Sequence, residues 1–497
     1  MLLPELTAGL VIALAYSGVL ALLAVFGLQR LHIAWLALRA RPEAPPDPSA
    51  DAPPPRVLLQ LPLYNEASVV EPLLASIAEL DWPRDRLTVQ VLDDSTDETV
   101  ALVTAEVARL ASAGLDIRHV RRPERVGFKA GALAYGLSLD DSPFVAIFDA
   151  DFRPEPDFLE RCLPWFAEPD LGLVQARWEH SNRHQSWLTE LQALLLDAHF
   201  RVEQQARSAS GRFFNFNGTA GVWRRAAIEA AGGWDGDTLT EDLDLSLRAQ
   251  MIGWRFRYLN DVAAPAELPP TLAAFRGQQH RWAKGAGENL RKLLPALWRA
   301  PDLPLRARVE ASFQLWMNLA YALVCLLALL AVPLVGIGLP ISDLELTTDL
   351  IHLALVLAAS GSVCLFYLAG QRARGLGAMV KALLRMPLLL AFGVGMAPSG
   401  AVAWLAGLMG RRSAFVRTPK QGDRRKVYRA RRSLMPLVEL ALGLWLLLGI
   451  ALALHHGRLL ALPFLGLLAS GLLGYGGLGL PDLVRASRSS PAPARAK

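Results

Sequence analysis

Cysteine is scarce: Cys162, Cys325 and Cys364 are the three in 497 residues, and none sits in a CxxC spacing. A disulfide framework and a thiolate zinc site are both poorly supported by that pattern. Charge is thin as well, at 20% of residues against 53% hydrophobic, with a mean hydropathy of +0.28. A simple soluble globule does not have this balance. No internal repeat is evident, which argues against a transporter built from two related halves. The net charge of +5 is carried largely beside apolar runs rather than in a separate tail. That favours a membrane surface as partner over nucleic acid.

The apolar residues gather at the two ends. Residues 6–28 form a run long enough for the ~20 residues of a spanning helix. Its basic residues, Arg30, Arg39 and Arg41, follow it, so residues 1–40 read as an uncleaved anchor with the N-terminus outside and the next segment in the cytoplasm. A Pro-, Asp- and Ala-rich linker at 41–55 leads into a block of soluble composition, 56–300. Apolar runs return near 313–338, 350–369, 386–410, 434–455 and 458–478, within a membrane region at 301–480 that precedes a cytoplasmic tail, 481–497. ISDLELTTDL, without Lys or Arg, suits an external loop. The run 386–410 has basic segments on both sides and contains Pro387, Gly393, Gly395, Pro398 and Gly400. It therefore reads as a re-entrant or interfacial helix pair, leaving five true spans. Arginine greatly outnumbers lysine and alanine and leucine are abundant, which points to a GC-rich bacterium and its inner membrane.

Within the soluble block, RVLLQL at 56–61, LTVQVL at 87–92 and FVAIF at 144–148 are strand patterns, each ending in polar residues and alternating with helical periodicity. This describes an α/β fold with a mostly parallel sheet and its site at the carboxyl ends of the strands. Asp149 and Asp151, spaced D-x-D at such an end, offer two hard oxygen ligands to Mg²⁺ or Mn²⁺, whose remaining positions could hold a diphosphate. Alone, that spacing is more often a polar strand cap. Tyr64-Asn65-Glu66, Asp93-Asp94 and Gly127-Phe128-Lys129-Ala130-Gly131 precede it in an order that suits nucleotide binding, the lysine among glycines being able to cradle phosphate. Thr240-Glu241-Asp242 opens a helical pattern and by itself reads most simply as an N-cap with acidic residues facing the helix dipole. Gln278-Gln279-His280-Arg281-Trp282 follows on a helical approach to the membrane.

As an ordered set, YNE, LDDSTD, GFKAGAL, FDADF, FNGTAGVWR, TED and QQHRW resemble the membrane-embedded inverting glycosyltransferases of family 2, the cellulose synthase superfamily. Within it, QVLDDSTDET, LVQARW and FRGQQHRWAKG look most like the plant cellulose-synthase-like A mannan and glucomannan synthases. The resemblance covers roughly residues 56–290. It implies a GT-A catalytic domain, inserted between transmembrane helices and facing the cytoplasm, with a nucleotide-sugar donor, GDP-mannose or UDP-glucose. Asp93 and Asp94 would meet the nucleoside, Lys129 the diphosphate, and Asp149 and Asp151 the nucleotide and metal. Asp242, beside Glu241, would be the general base, and Gln278, Arg281 and Trp282 would shape the acceptor site. Phe415, Thr418 and Lys420, in the basic segment 411–433, resemble a gating loop, with Arg417 departing from the pattern. The expected product is a β-linked glycan made processively. Single transfer to ceramide, diacylglycerol or polyprenyl phosphate is the alternative, and a transporter or scaffold with an inactive enzyme-like domain the second. Oligomeric state is not legible here.

Overall fold

The computed structural model describes residues 2–41, 43–46, 53–337, 342–411 and 433–488. Its strands are β1 (Val57–Leu63), β2 (Leu87–Asp93), β3 (Asp116–Val120), β4 (Phe144–Ile147), β5 (Leu171–His180), β6 (Gly221–Arg224) and β7 (Arg255–Ala266). They form one sheet in the order β3-β2-β1-β4-β6-β5-β7, parallel except for β6. The three strand patterns read from the sequence lie within two residues of β1, β2 and β4. Both faces of the sheet are covered, which is why these strands are near-continuous apolar runs. Side-chain alternation sends Val57, Leu59, Leu61 and Leu63 of β1 into one buried core, and Leu58 into the other. Phe144 and Ala146 of β4 divide from Val145 and Ile147 in the same way.

The parallel strands deliver their polar ends to one edge. Because β6 runs against its neighbours, its beginning, not its end, reaches that edge. Ala220 N–H donates to the Ile147 carbonyl and Asp149 N–H to Thr219 Oγ1, each at 2.8 Å. The segment Asn217–Ala220 is thereby stitched beside the D-x-D pair.

Among the described residues, six helices are long and apolar enough to cross a membrane, as an integral multi-pass protein requires: Gly9–Arg39, Leu319–Ile337, Leu350–Arg374, Leu376–Leu408, Met435–His455 and Leu459–Leu483. They flank the sheet domain in sequence. The acidic segment expected as an external loop instead begins a helix, Ser342–Val356.

The helix pair expected at 386–410 is also corrected. Leu376–Leu408 is one continuous helix of 33 residues with Pro387 and Pro398 inside it. The glycines that suggested breaks are packing surfaces. A Cβ at Gly395 would lie 2.3 Å from Tyr475 Cβ, at Gly400 2.6 Å from the Tyr321 ring, and at Gly407 2.1 Å from the Lys284 carbonyl oxygen. Small residues that let helices approach this closely are how apolar helices associate where hydrophobicity cannot sort them. Both ends of this helix touch the sheet domain: Arg385 pairs with Glu190 at 2.5 Å, and Gly407 packs on the helix Leu272–Arg299. Basic character at both ends of the run follows from that placement. Phe415, Thr418 and Lys420 lie outside the described residues, as do residues 489–497.

Candidate active site

The end of β2 separates two adjacent carboxylates. Asp93 is 2% exposed and accepts from Ser95 N–H at 2.8 Å and from His119 Nε2 at 2.9 Å. Burial alone would raise its pKa, but these bonds outweigh burial and hold it below the usual carboxylate value. Asp94 turns to the cleft and is gripped by the Arg122 fork, at 2.8 and 2.6 Å. Arg122 also donates to the Val126 and Phe128 carbonyls, each at 2.6 Å. Asp94 thus fixes the loop that starts the helix Phe128–Leu137.

That helix presents Lys129, whose Nζ donates to Asp149 Oδ1 at 2.5 Å and to the Gly218 carbonyl at 2.7 Å. Burial would lower the lysine pKa, yet the charges of Asp149, Glu241 and Asp242 raise it. Among the described residues, three non-glycines have positive φ: Asn65 at 56°, Phe128 at 49° and Ala220 at 55°. All three sit at turns that bring the YNE, GFKAG and FNGTAG segments to this edge, and such backbone strain is commonly held by the surrounding structure.

Glu241 and Asp242 open the helix Glu241–Met251. Thr240 does not cap it with its side chain; its Oγ1 accepts from Asn289 Nδ2 at 2.8 Å. The acidic pair is therefore tied to the helix Leu272–Arg299, where Gly285 leaves room for Thr240. Burial, and then the neighbouring Glu241 charge, push Asp242 up to about 7, although the Leu243 N–H and Lys129 oppose the shift. Burial also raises Glu241. A buried carboxyl tuned close to neutrality is suited to exchanging a proton.

Gly218 stands between the two charged groups. Its φ is +81°, and a Cβ there would lie 3.1 Å from Asp242 Oδ2 and 3.4 Å from Lys129 Nζ. Gly218→Ala is expected to cost about 1–3 kcal/mol in stability from the left-handed backbone alone. The activity loss should exceed what that stability change explains, because the methyl displaces Asp242. Thermal unfolding and turnover of the same preparation check this.

Gln278, Arg281 and Trp282 lie on the helix Leu272–Arg299, which Thr271 caps by accepting from Ala274 N–H at 3.3 Å. They line one cleft together with Asp94, Lys129, Asp149, Asp151, Glu241 and Asp242. Asp93 lies beneath this wall and is not part of its lining. Sequence reasoning missed the residues that hold the wall: His119, Arg122, and Arg125, which stacks on the Tyr64 ring 3.4 Å from its centroid. The basic run HVRRPER at 119–125, which begins inside β3, was the available signal. It also missed Trp178 and His180 of β5, which line the far side of the cleft.

The residues at the end of β4 suit a hard divalent cation: Asp149 and Asp151 are both carboxylates and both line the cleft. A second acidic cluster, Asp235, Asp237 and Asp244, is already filled by Lys292, whose Nζ lies 2.9, 2.7 and 3.0 Å from the three carboxylates.

Comparison with known proteins fits this geometry. Glucomannan 4-beta-mannosyltransferase 2 of Arabidopsis thaliana is 49% identical over 250 residues, covering 49% of this chain and 47% of that protein. Glucomannan 4-beta-mannosyltransferase 1 of Oryza sativa subsp. japonica is 44% identical over 268 residues, 53% of this chain and 51% of the relative. The chain thus spans about half the length of the curated relatives it matches. They are plant proteins, and the bacterial source read from composition finds no support in them. Among solved structures, the mannosyltransferase PcManGT from Pyrobaculum calidifontis, in complex with GDP-Man and Mn²⁺, superposes with a TM-score of 0.52 at 24% identity, over 81% of this chain and 99% of that one. That likeness establishes the GT-A fold expected from the sequence. Residues 144–392, half of the chain, match the family model described as glycosyl transferase family group 2, and the chain belongs to that family.

Proposed function

We propose that this chain transfers mannose from GDP-mannose to the end of a growing β-1,4-linked glycan, with inversion at the anomeric carbon. The observation that carries the reading is the placement of a buried, near-neutral Asp242 and the Lys129–Asp149 pair on either side of Gly218, facing Gln278, Arg281 and Trp282 across one cleft. The choice of mannose over glucose is supported by the names of the relatives that match the catalytic half.

In the mechanism, Trp282 offers an aromatic face on which the acceptor sugar stacks. Asp242 removes the acceptor hydroxyl proton as that oxygen attacks the anomeric carbon. The bond from that carbon to the diphosphate breaks on the opposite face, so an α-linked donor gives a β-linked product and GDP leaves. Lys129, held against Asp149 and Gly218, meets the negative charge that develops on the departing diphosphate. Asp149 and Asp151 would hold Mg²⁺ or Mn²⁺, which when bound supplies further charge neutralisation at the diphosphate. Arg281 and Gln278 shape the wall between the two substrates. The sheet domain faces the cytoplasm, where nucleotide sugars are made, and the flanking helices keep the product beside the site between additions.

The test is transfer of radiolabel from GDP-mannose and UDP-glucose by the purified, lipid-reconstituted protein, with products sized and tested for lipid attachment. Long, lipid-free mannan from GDP-mannose is expected. A single sugar on an extractable lipid, or transfer from UDP-glucose alone, would overturn the reading. Asp151→Ala should weaken GDP binding in the presence of Mn²⁺ and leave the metal-free affinity unchanged, because a hard cation loses an anionic ligand. Equal metal dependence in variant and parent contradicts the assignment of Asp151.

A further inference from the structure

Away from the cleft, Glu439 lies completely buried in the first turns of the helix Met435–His455. Its carboxylate is gripped by Arg276, with Nη2 to Oε2 at 2.7 Å and Nη1 to Oε1 at 3.3 Å. Arg276 Nη2 also donates to the Tyr475 carbonyl at 2.7 Å, and its guanidinium lies 4.0 Å from the centroid of that ring. Glycines make the space: a Cβ at Gly479 would stand 2.8 Å from Nη2, and one at Gly476 3.1 Å from Glu439 Cβ. One arginine therefore joins two membrane-length helices, Met435–His455 and Leu462–Arg488, to the helix that carries Gln278, Arg281 and Trp282.

The direction of that joint matters. At 100° per residue, Gln278 lies about 200° and Trp282 about 240° around the helix from Arg276. The face that lines the cleft is opposite the face the membrane helices hold. A buried ion pair is a poor source of net stability compared with apolar packing, whereas it fixes geometry through a bidentate fork. An ionisable residue inside a membrane helix is also costly enough to mark a functional position.

We propose that Arg276 and Glu439 are a positioning pair that sets the acceptor wall of the site relative to the last two membrane helices. This rests on the transferase reading above. The donor wall is built from β1, β2, β4 and the Phe128–Leu137 helix, whereas the pair's hydrogen bonds run within the pair and to Tyr475. Loss of the pair then acts on the acceptor and spares the nucleotide.

The experiment uses the full chain in lipid nanodiscs, with Glu439→Gln, which keeps shape, and Arg276→Lys, which keeps charge and loses the fork. Three quantities are read: apparent KM for a β-1,4-linked manno-oligosaccharide with the product length, GDP affinity by titration, and amide exchange across residues 272–282. Glu439→Gln is expected to raise acceptor KM by at least about tenfold and shorten the product, with GDP affinity within about twofold of the parent. Exchange across 272–282 should rise, and Arg276→Lys should fall between the two. Unchanged acceptor KM and exchange overturn the proposal, as does a parallel loss of acceptor and GDP binding, which marks a pair that only holds the fold. If the parent protein transfers no mannose, the function reading fails; faster exchange in Glu439→Gln then still supports the clasp, and unchanged exchange rejects it.

Discussion

Asp242→Asn should lower mannosyl transfer by at least ~10²–10⁴-fold and leave GDP affinity within about twofold of the parent. Asparagine matches the shape of the carboxylate and can still accept the Leu243 N–H bond at 2.8 Å that Asp242 makes. It cannot take the acceptor proton. The parent enzyme carries a linked signature. Burial and the Glu241 charge raise Asp242 to about 7, and a base works only when ionised. The kcat/KM profile, which reports the free enzyme, should therefore fall as pH drops through about 7 rather than near the ordinary carboxylate range. Near-parent turnover in Asp242→Asn, or an acid limb close to pH 4, the ordinary range of an aspartate, would remove Asp242 from the role.

The sheet was legible because its strands are buried on both faces: VLLQL, LTVQVL and FVAI are apolar on both faces except at Gln60, Thr88 and Gln90, and they lead into Asp, Asn or Glu at the same edge. The motifs at those ends were legible as residue types and order. Their division of labour was not. Asp93 and Asp94 are neighbours in sequence, yet alternation along β2 buries one beneath the cleft against His119 and gives the other to Arg122. Thr240 had the composition of an N-cap, and its hydroxyl was instead drawn to Asn289, a partner that helix-start rules do not see. In the membrane region, Pro and Gly at 387–400 carried the statistics of breaks. What keeps that helix whole is packing against Tyr475, Tyr321 and Lys284, contacts between segments far apart in the chain. The buried Arg276–Glu439 pair was beyond sequence reasoning for the same reason, since its partners are 163 residues apart.

Lys129→Met should lower kcat by about 10²–10³-fold, the scale on which one preorganised donor to a developing anion contributes. Methionine nearly matches the lysine stem in length and keeps its apolar packing, so the fold is expected to persist. The ammonium it removes donates to Asp149 and the Gly218 carbonyl, at 2.5 and 2.7 Å, and its charge also opposes the rise in the pKa of Asp242. Two consequences separate this variant from a general loss of structure. The acid limb of kcat/KM should move to higher pH, because Asp242 loses the cation that favours its ionised form. Mn²⁺ should bind at least as well as in the parent, because Asp149 no longer shares its carboxylate with an ammonium, in contrast to Asp151→Ala, which takes a ligand away. Turnover within about tenfold of the parent would show that the charge is not used on the leaving diphosphate. A large loss with an unmoved acid limb would place Lys129 too far from Asp242 for the two to share one electrostatic site.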